Sequence, residues 1–192
     1  MKVYEIIEAR QLTNLDQETI QAMSARIPQL QARANAMLAR LIKASTVAEE
    51  LANVRVYVGI YDGFADADPT QRLINIDITG FYDAPDDVLA FVIGHELGHI
   101  ALHHPSELHK QAELNRQEEL DADDYGIELA QKLGYSRTNA LTFTNTKDTS
   151  PADTFTHPSY DRRIQHSQEK FPQFQLSKGA LDQLADLKAA LA

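Results

Sequence analysis

Apolar and polar positions along this chain change period several times, and each change marks an element. From Asn14 or Asp16, either of which can cap a helix, apolar residues recur at helical spacing to about Ala52. Leu30, Met37, Leu38, Leu41 and Ile42 form the stripe, and Pro28 kinks this segment or splits it in two. Residues 1–12 read as a short strand or a loose arm. Val54 to Ile60 alternates and is β-branched, and so does Leu73 to Ile78 with Ile74, Ile76 and Ile78 on one face. The two strands are expected to pair as a hairpin with a long connection, the acidic loop Asp62 to Pro69 lying between them.

Asp83-Ala84-Pro85-Asp86-Asp87 has the composition of a helix start, with a capping residue, an early proline and acidic groups in the first turn. The helix it opens runs to about His104, where Pro105 stops it, and is apolar nearly all round, which predicts burial. A further helix spans about Ser106 to Leu133 with Gly134 just beyond its end. Thr142 to Thr156 reads as a loop, and helices follow near Ser159–Lys170 and Lys178–Leu191. Few strands, segregated from many helices, predict an α+β fold: mainly helical, with a small β-sheet. We expect one domain over residues 1–192, made of an N-terminal helical region (1–53), a core (54–170) and a C-terminal helix (171–192).

Composition narrows the function. Apolar residues make up 43% and charged residues 24%, as in a soluble globular protein. A net charge of −10 argues against general nucleic-acid binding and against attachment to an anionic membrane. With no cysteine, disulfide frameworks, thiolate metal sites and cysteine nucleophiles are excluded, leaving His, Asp and Glu as metal ligands. The first residues are acidic without a long apolar core, and Val88 to Ile93 is far shorter than the ~20 residues of a bilayer span. The expectation is a soluble cytoplasmic protein.

The buried helix carries His95-Glu96-Leu97-Gly98-His99. Histidines at i and i+4 lie one above the other, so both rings can reach one metal ion, most often zinc, with the glutamate beside the water that the ion polarises. A third protein ligand is needed. The H-E-x-x-H-x-x-G-x-x-H pattern fails, because Leu102 and Pro105 stand at its last two positions. His103 lies one further turn along, about 6 Å up the axis, too far to share a tetrahedral ion, and reads as a partly exposed helix-end residue. Glu119 and Asp123 place two carboxylates on one face of the next helix: the first can ligate, the second can accept the ring N–H of a ligand histidine. Glu118 is the rival ligand but has Ala122 at i+4. Asp62, Asp66 and Asp68 read as an acidic surface loop, since Leu73 occupies the place of a calcium loop's closing glutamate.

Three motifs in order, H-E-L-G-H, then Glu119-Leu120-Asp121-Ala122-Asp123, then His157-Pro158 with Arg163-Ile164, resemble the family of the CAAX prenyl endopeptidases and the heat-shock protease HtpX. The second motif of that family is E-x-E-A-D and the third H-P-x-x-x-x-R-I; the strand-then-helix lead-in from Ile74 to Gly94 is similar too, so the resemblance covers roughly residues 54 to 166. It implies a zincin-like metallopeptidase domain, its sheet beside the H-E-x-x-H helix, binding one Zn2+ through His95, His99 and Glu119. Glu96 would be the general base, Asp123 the partner of a ligand histidine, His157 the stabiliser of the oxyanion and Arg163 a residue ordering the site. Tyr160 competes with His157 as oxyanion donor.

Asp121 departs from the family's glutamate, and Gly63-Phe64-Ala65-Asp66 stands near the place of an unrecognisable N-A-F-like segment. Without transmembrane helices the chain resembles the compact soluble minigluzincins. The implied partner is a peptide or protein substrate, added as a strand to the exposed edge of Leu73–Ile78. The leading function is zinc endopeptidase; a non-proteolytic zinc module with chaperone or interaction roles is the alternative. An aminopeptidase or amidase would need an amine-capturing group that no motif supplies. The Leu181, Leu184, Leu187 and Leu191 stripe either packs on the body or covers the cleft, which truncation after Ser177 would test.

Overall fold

Where Pro28 enters the first helical pattern, the chain breaks. In the computed structural model, which describes residues 17–60, 64–81, 83–135 and 152–171, α1 (Gln17–Ser24) and α2 (Ile27–Ala44) are separate helices. Proline stands in the first turn of α2, where its missing N–H costs nothing. The helix ends at Ala44 rather than Ala52, and the chain continues through turns to residue 53. The arm at residues 1–12 and the C-terminal helix at 171–192 lie outside the described residues, apart from Phe171.

Strands β1 (Arg55–Gly59), β2 (Ala65–Asp68) and β3 (Leu73–Asp77) form one sheet in the order β1-β3-β2. The expected hairpin is corrected here. β1 and β3 run parallel, Val56 opposite Ile74 and Val58 opposite Ile76, while β2 arises within the acidic segment and pairs antiparallel with β3. Alternation specifies which face of a strand is buried, and it is the same for parallel and antiparallel neighbours. β3 is therefore the central strand, not an exposed edge. The outer side of β1 is occupied by the Gln31 side chain of α2, whose amide donates to Val56 O (2.9 Å) and accepts from Val58 N (2.9 Å). The outer strand on the other side is β2.

Ile74 and Ile76 of the sheet, Leu30, Ala34, Met37 and Leu41 of α2, and most of the next long helix form the core. After the short α3 (Ile78–Phe81), that helix, α4 (Asp86–Ala101), is buried along nearly its whole length. Pro85 rather than Asp83 occupies its cap position. It ends before His104: Leu102 closes it, His103 turns left-handed (φ 58°), His103 N bonds Ile100 O and His104 N bonds His99 O (2.9 Å). This is a Schellman cap. α5 (Ala112–Lys132) starts later than Ser106 and ends in the same hydrogen-bond pattern, there with Gly134 at φ 80°. A non-glycine residue in that conformation costs about 1–2 kcal/mol, so the cap of α4 is the strained one. α6 (Tyr160–Lys170) follows the described segment 152–159.

α4 and α5 approach backbone to backbone. A Cβ on Gly94 would lie 3.0 Å from Gly126 Cα, one on Gly98 3.1 Å from Ala122 Cα, and one on Gly126 2.8 Å from His95 N. Small residues at i and i+4 on both helices thus set the separation, and this close seam brings α5 side chains to the histidines of α4. Its signal, Gly94 with Gly98 facing Ala122 with Gly126, is visible in the sequence but is not a metal motif.

Candidate metal centre

One helical turn separates His95 from His99, and their Nε2 atoms converge to 3.2 Å. Glu119 reaches across the seam, its Oε2 3.5 Å from His95 Nε2 and its Oε1 3.5 Å from His99 Nε2. Among the described residues these three form the one group of His, Asp or Glu with ligand atoms within 4.8 Å of one another. Ligands about 2.0–2.1 Å from a tetrahedral zinc ion stand ~3.3 Å apart, so the donor set and its spacing fit that ion. Glu118 turns away and accepts from His109 Nε2 (2.7 Å). His103 is exposed, 3.9 Å from Glu50. Asp121 accepts from Gln117 on the surface of α5 (3.0 Å).

The rings are fixed from behind. His95 Nδ1 donates to Asp123 Oδ1 (2.9 Å), and Asp123 accepts two further bonds from Arg163, Nε to Oδ2 (2.7 Å) and Nη2 to Oδ1 (2.6 Å). Asp123 is 0% and Arg163 6% exposed. Behind His99 stands His104, which the sequence did not single out: the two Nδ1 atoms are 2.9 Å apart and the rings meet edge to face.

Charge is distributed unevenly over this cluster. Burial alone would lower His95, but hydrogen bonds to Asp123 and Glu119 outweigh it and push the ring up to about 10. Burial, then the neighbouring His95 charge, takes His99 down to about 3. Glu119 is held at about 2: burial opposes ionisation, and His95, His157 and His99 overcome it. Asp123 is likewise held far below the usual range, against burial, by Arg163 and His95. A proton on His95 and a divalent cation compete for the same lone pair.

Glu96 is buried among these groups and burial raises its carboxyl to about 8, with Glu119 and Asp66 pushing the same way and His95 opposing. Such a carboxyl is a proton acceptor and donor near neutral pH. Asp66 is on β2, so the outer strand passes near Glu96.

His157 closes the other side, its Nε2 3.6 Å from Glu119 Oε2. Its side chain is 42% exposed, and its Nδ1 meets Thr156 Oγ1 (2.7 Å). The segment carrying it is tied to α5 and α6: Arg116 donates to Thr154 O (2.8 Å) and Arg162 to Asp153 Oδ2 (2.9 Å) at the surface, and the buried Asn115 donates to Phe155 O (3.3 Å). Tyr160 is buried in the core at the start of α6, its phenol raised to about 12 by burial. The residues singled out in the sequence, His95, Glu96, His99, Glu119, Asp123, His157 and Arg163, are therefore brought together.

No helix among the described residues is long and apolar enough to cross a membrane. A search of curated proteins found no match to the chain. A model of the family Peptidase U49 matches residues 4–181, nearly the whole chain, and the chain belongs to that family.

Proposed function

We propose that this Peptidase U49 chain is a zinc-dependent endopeptidase, as the likeness of its three motifs to the CAAX prenyl endopeptidases and HtpX implies. Family membership supports a peptidase acting on a peptide or protein. The observation that carries the metal reading is the triangle of His95, His99 and Glu119 donor atoms, at tetrahedral spacing, beside a buried Glu96. A zinc ion held there would lower the pKa of a water molecule towards ~7 and polarise the scissile carbonyl.

The chain's own residues account for the rest. Glu96 takes the proton from the attacking water and delivers it to the leaving amine, a role its buried place beside the three donor atoms suits. His157, at the open side, donates to the oxyanion as the carbonyl becomes tetrahedral. Asp123 and Arg163 hold the His95 ring with Nε2 facing the metal site. An extended substrate strand pairs with the outer side of β2, in place of the buried β3.

Metal analysis paired with peptide-library cleavage tests this reading. Wild type should bind about one zinc and cleave, and Glu96→Gln should keep the zinc and lose cleavage. Zinc bound without cleavage by wild type would favour the alternative, a non-proteolytic zinc module, and zinc bound by neither protein would remove both.

A further inference from the structure

The two ligand histidines are supported by different chemistry. His95 leans on a carboxylate, whereas His99 leans on the ring of His104. We propose that His104 is a positioning residue for the metal site: its Nδ1 accepts the Nδ1–H of His99 and so fixes the tautomer that presents His99 Nε2 to the cation. The inference rests on the zinc reading above.

Four observations carry it. The rings meet at 2.9 Å through Nδ1 on both sides, so one Nδ1 must hold the proton and the other a lone pair. His99 Nε2 is the atom that faces His95 Nε2 and Glu119, so the proton belongs on His99 Nδ1 and the lone pair on His104. The backbone repeats the contact, since His104 N bonds His99 O. The chain also accepts a left-handed, non-glycine His103 at the turn, where α5 uses Gly134. The consequence is a buried imidazole (8% exposed) folded back over the last turn of α4 onto a ligand one turn away.

The proposal separates from a packing role by paired substitutions. His104→Leu fills the space without an acceptor, and His104→Asn returns an oxygen near the place of Nδ1. We expect His104→Leu to weaken zinc 10–100-fold in chelator competition and to alter the d–d spectrum of the cobalt-substituted protein. The melting temperature in chelator should stay near that of wild type, and His104→Asn should recover zinc affinity to within a few-fold.

Wild-type affinity in His104→Leu would overturn the proposal, as would equal losses in both variants that follow their melting temperatures. Should the variants not fold, histidine 15N spectra of zinc-loaded wild type decide. Protonated Nδ1 on His99 and unprotonated Nδ1 on His104 are expected, and the reverse would overturn the assignment. Wild type that binds zinc without cleaving peptides would remove the peptidase reading and leave this one standing, whereas wild type that binds no zinc removes both.

Discussion

The site has two sides, and they are built differently. On the α4–α5 side the helices touch through glycine, the supporting charges are buried, and the His95 and His99 rings are each held from behind. On the other side, the 152–159 segment presents a half-exposed His157 and is held by surface ion pairs of Asp153 with Arg162 and Arg116. Buried pairs are strongly destabilising to break, whereas exposed pairs are individually weak and screened by salt. The contrast separates two tasks. Holding a cation rewards fixed geometry, while meeting a substrate needs an accessible surface that can yield.

The sharpest way to break the comparison is Asp123→Ala. It removes the buried carboxylate that accepts two bonds from Arg163 and one from His95, and should cost ~3–5 kcal/mol in denaturant unfolding, with metal binding lost as well. His157→Ala belongs to the other side: kcat should fall by roughly 10²–10³, the cost of an oxyanion donor, with zinc affinity and unfolding midpoint near wild type. An equal loss of stability in His157→Ala would show that the two sides are one unit. Gly126→Ala tests the seam itself. Its Cβ would sit 2.8 Å from His95 N, so the helices must part, at ~1–3 kcal/mol in stability with weakened zinc binding.

The smallest effect is read from protons. His95, raised to about 10, is protonated below that pH and must become neutral to ligate. Its raised value therefore weakens zinc binding as pH falls, by about tenfold per unit. Glu119 at about 2 and His99 at about 3 are already in their ligating forms near neutrality and release nothing. Calorimetry in buffers of different ionisation enthalpy should show at least one proton released per zinc at pH 7, and Glu96, raised to about 8, can add to it. No release would contradict the charge distribution described for the cluster.

Much of the buried side was legible in the sequence, because its signals are local. His95, Glu96 and His99 share a helix, and Glu119 with Asp123 repeat at i+4, so helical geometry alone places each set on one face. What was illegible depends on chain reversal or on pairing. β2 offers only alanine and aspartate in alternation, too little apolar surface to declare a strand, and the direction in which β1 meets β3 leaves no mark on either sequence. His104 escaped notice because its role follows from a left-handed His103, an unfavourable conformation that no propensity suggests. Glu119 over Glu118 was decided by the aspartate at i+4, and the structure shows Glu118 engaged with His109 instead.

The Gln31 amide on β1 has a consequence for assembly. A sheet with two unblocked sides can be extended from both, and each added strand offers a fresh side for the next, which is how propagating aggregates begin. By occupying Val56 O and Val58 N, Gln31 terminates the sheet at one end. Under the proposed function, a strand that added beside β2, the other outer strand among the described residues, would meet a means of being cut rather than a template for growth.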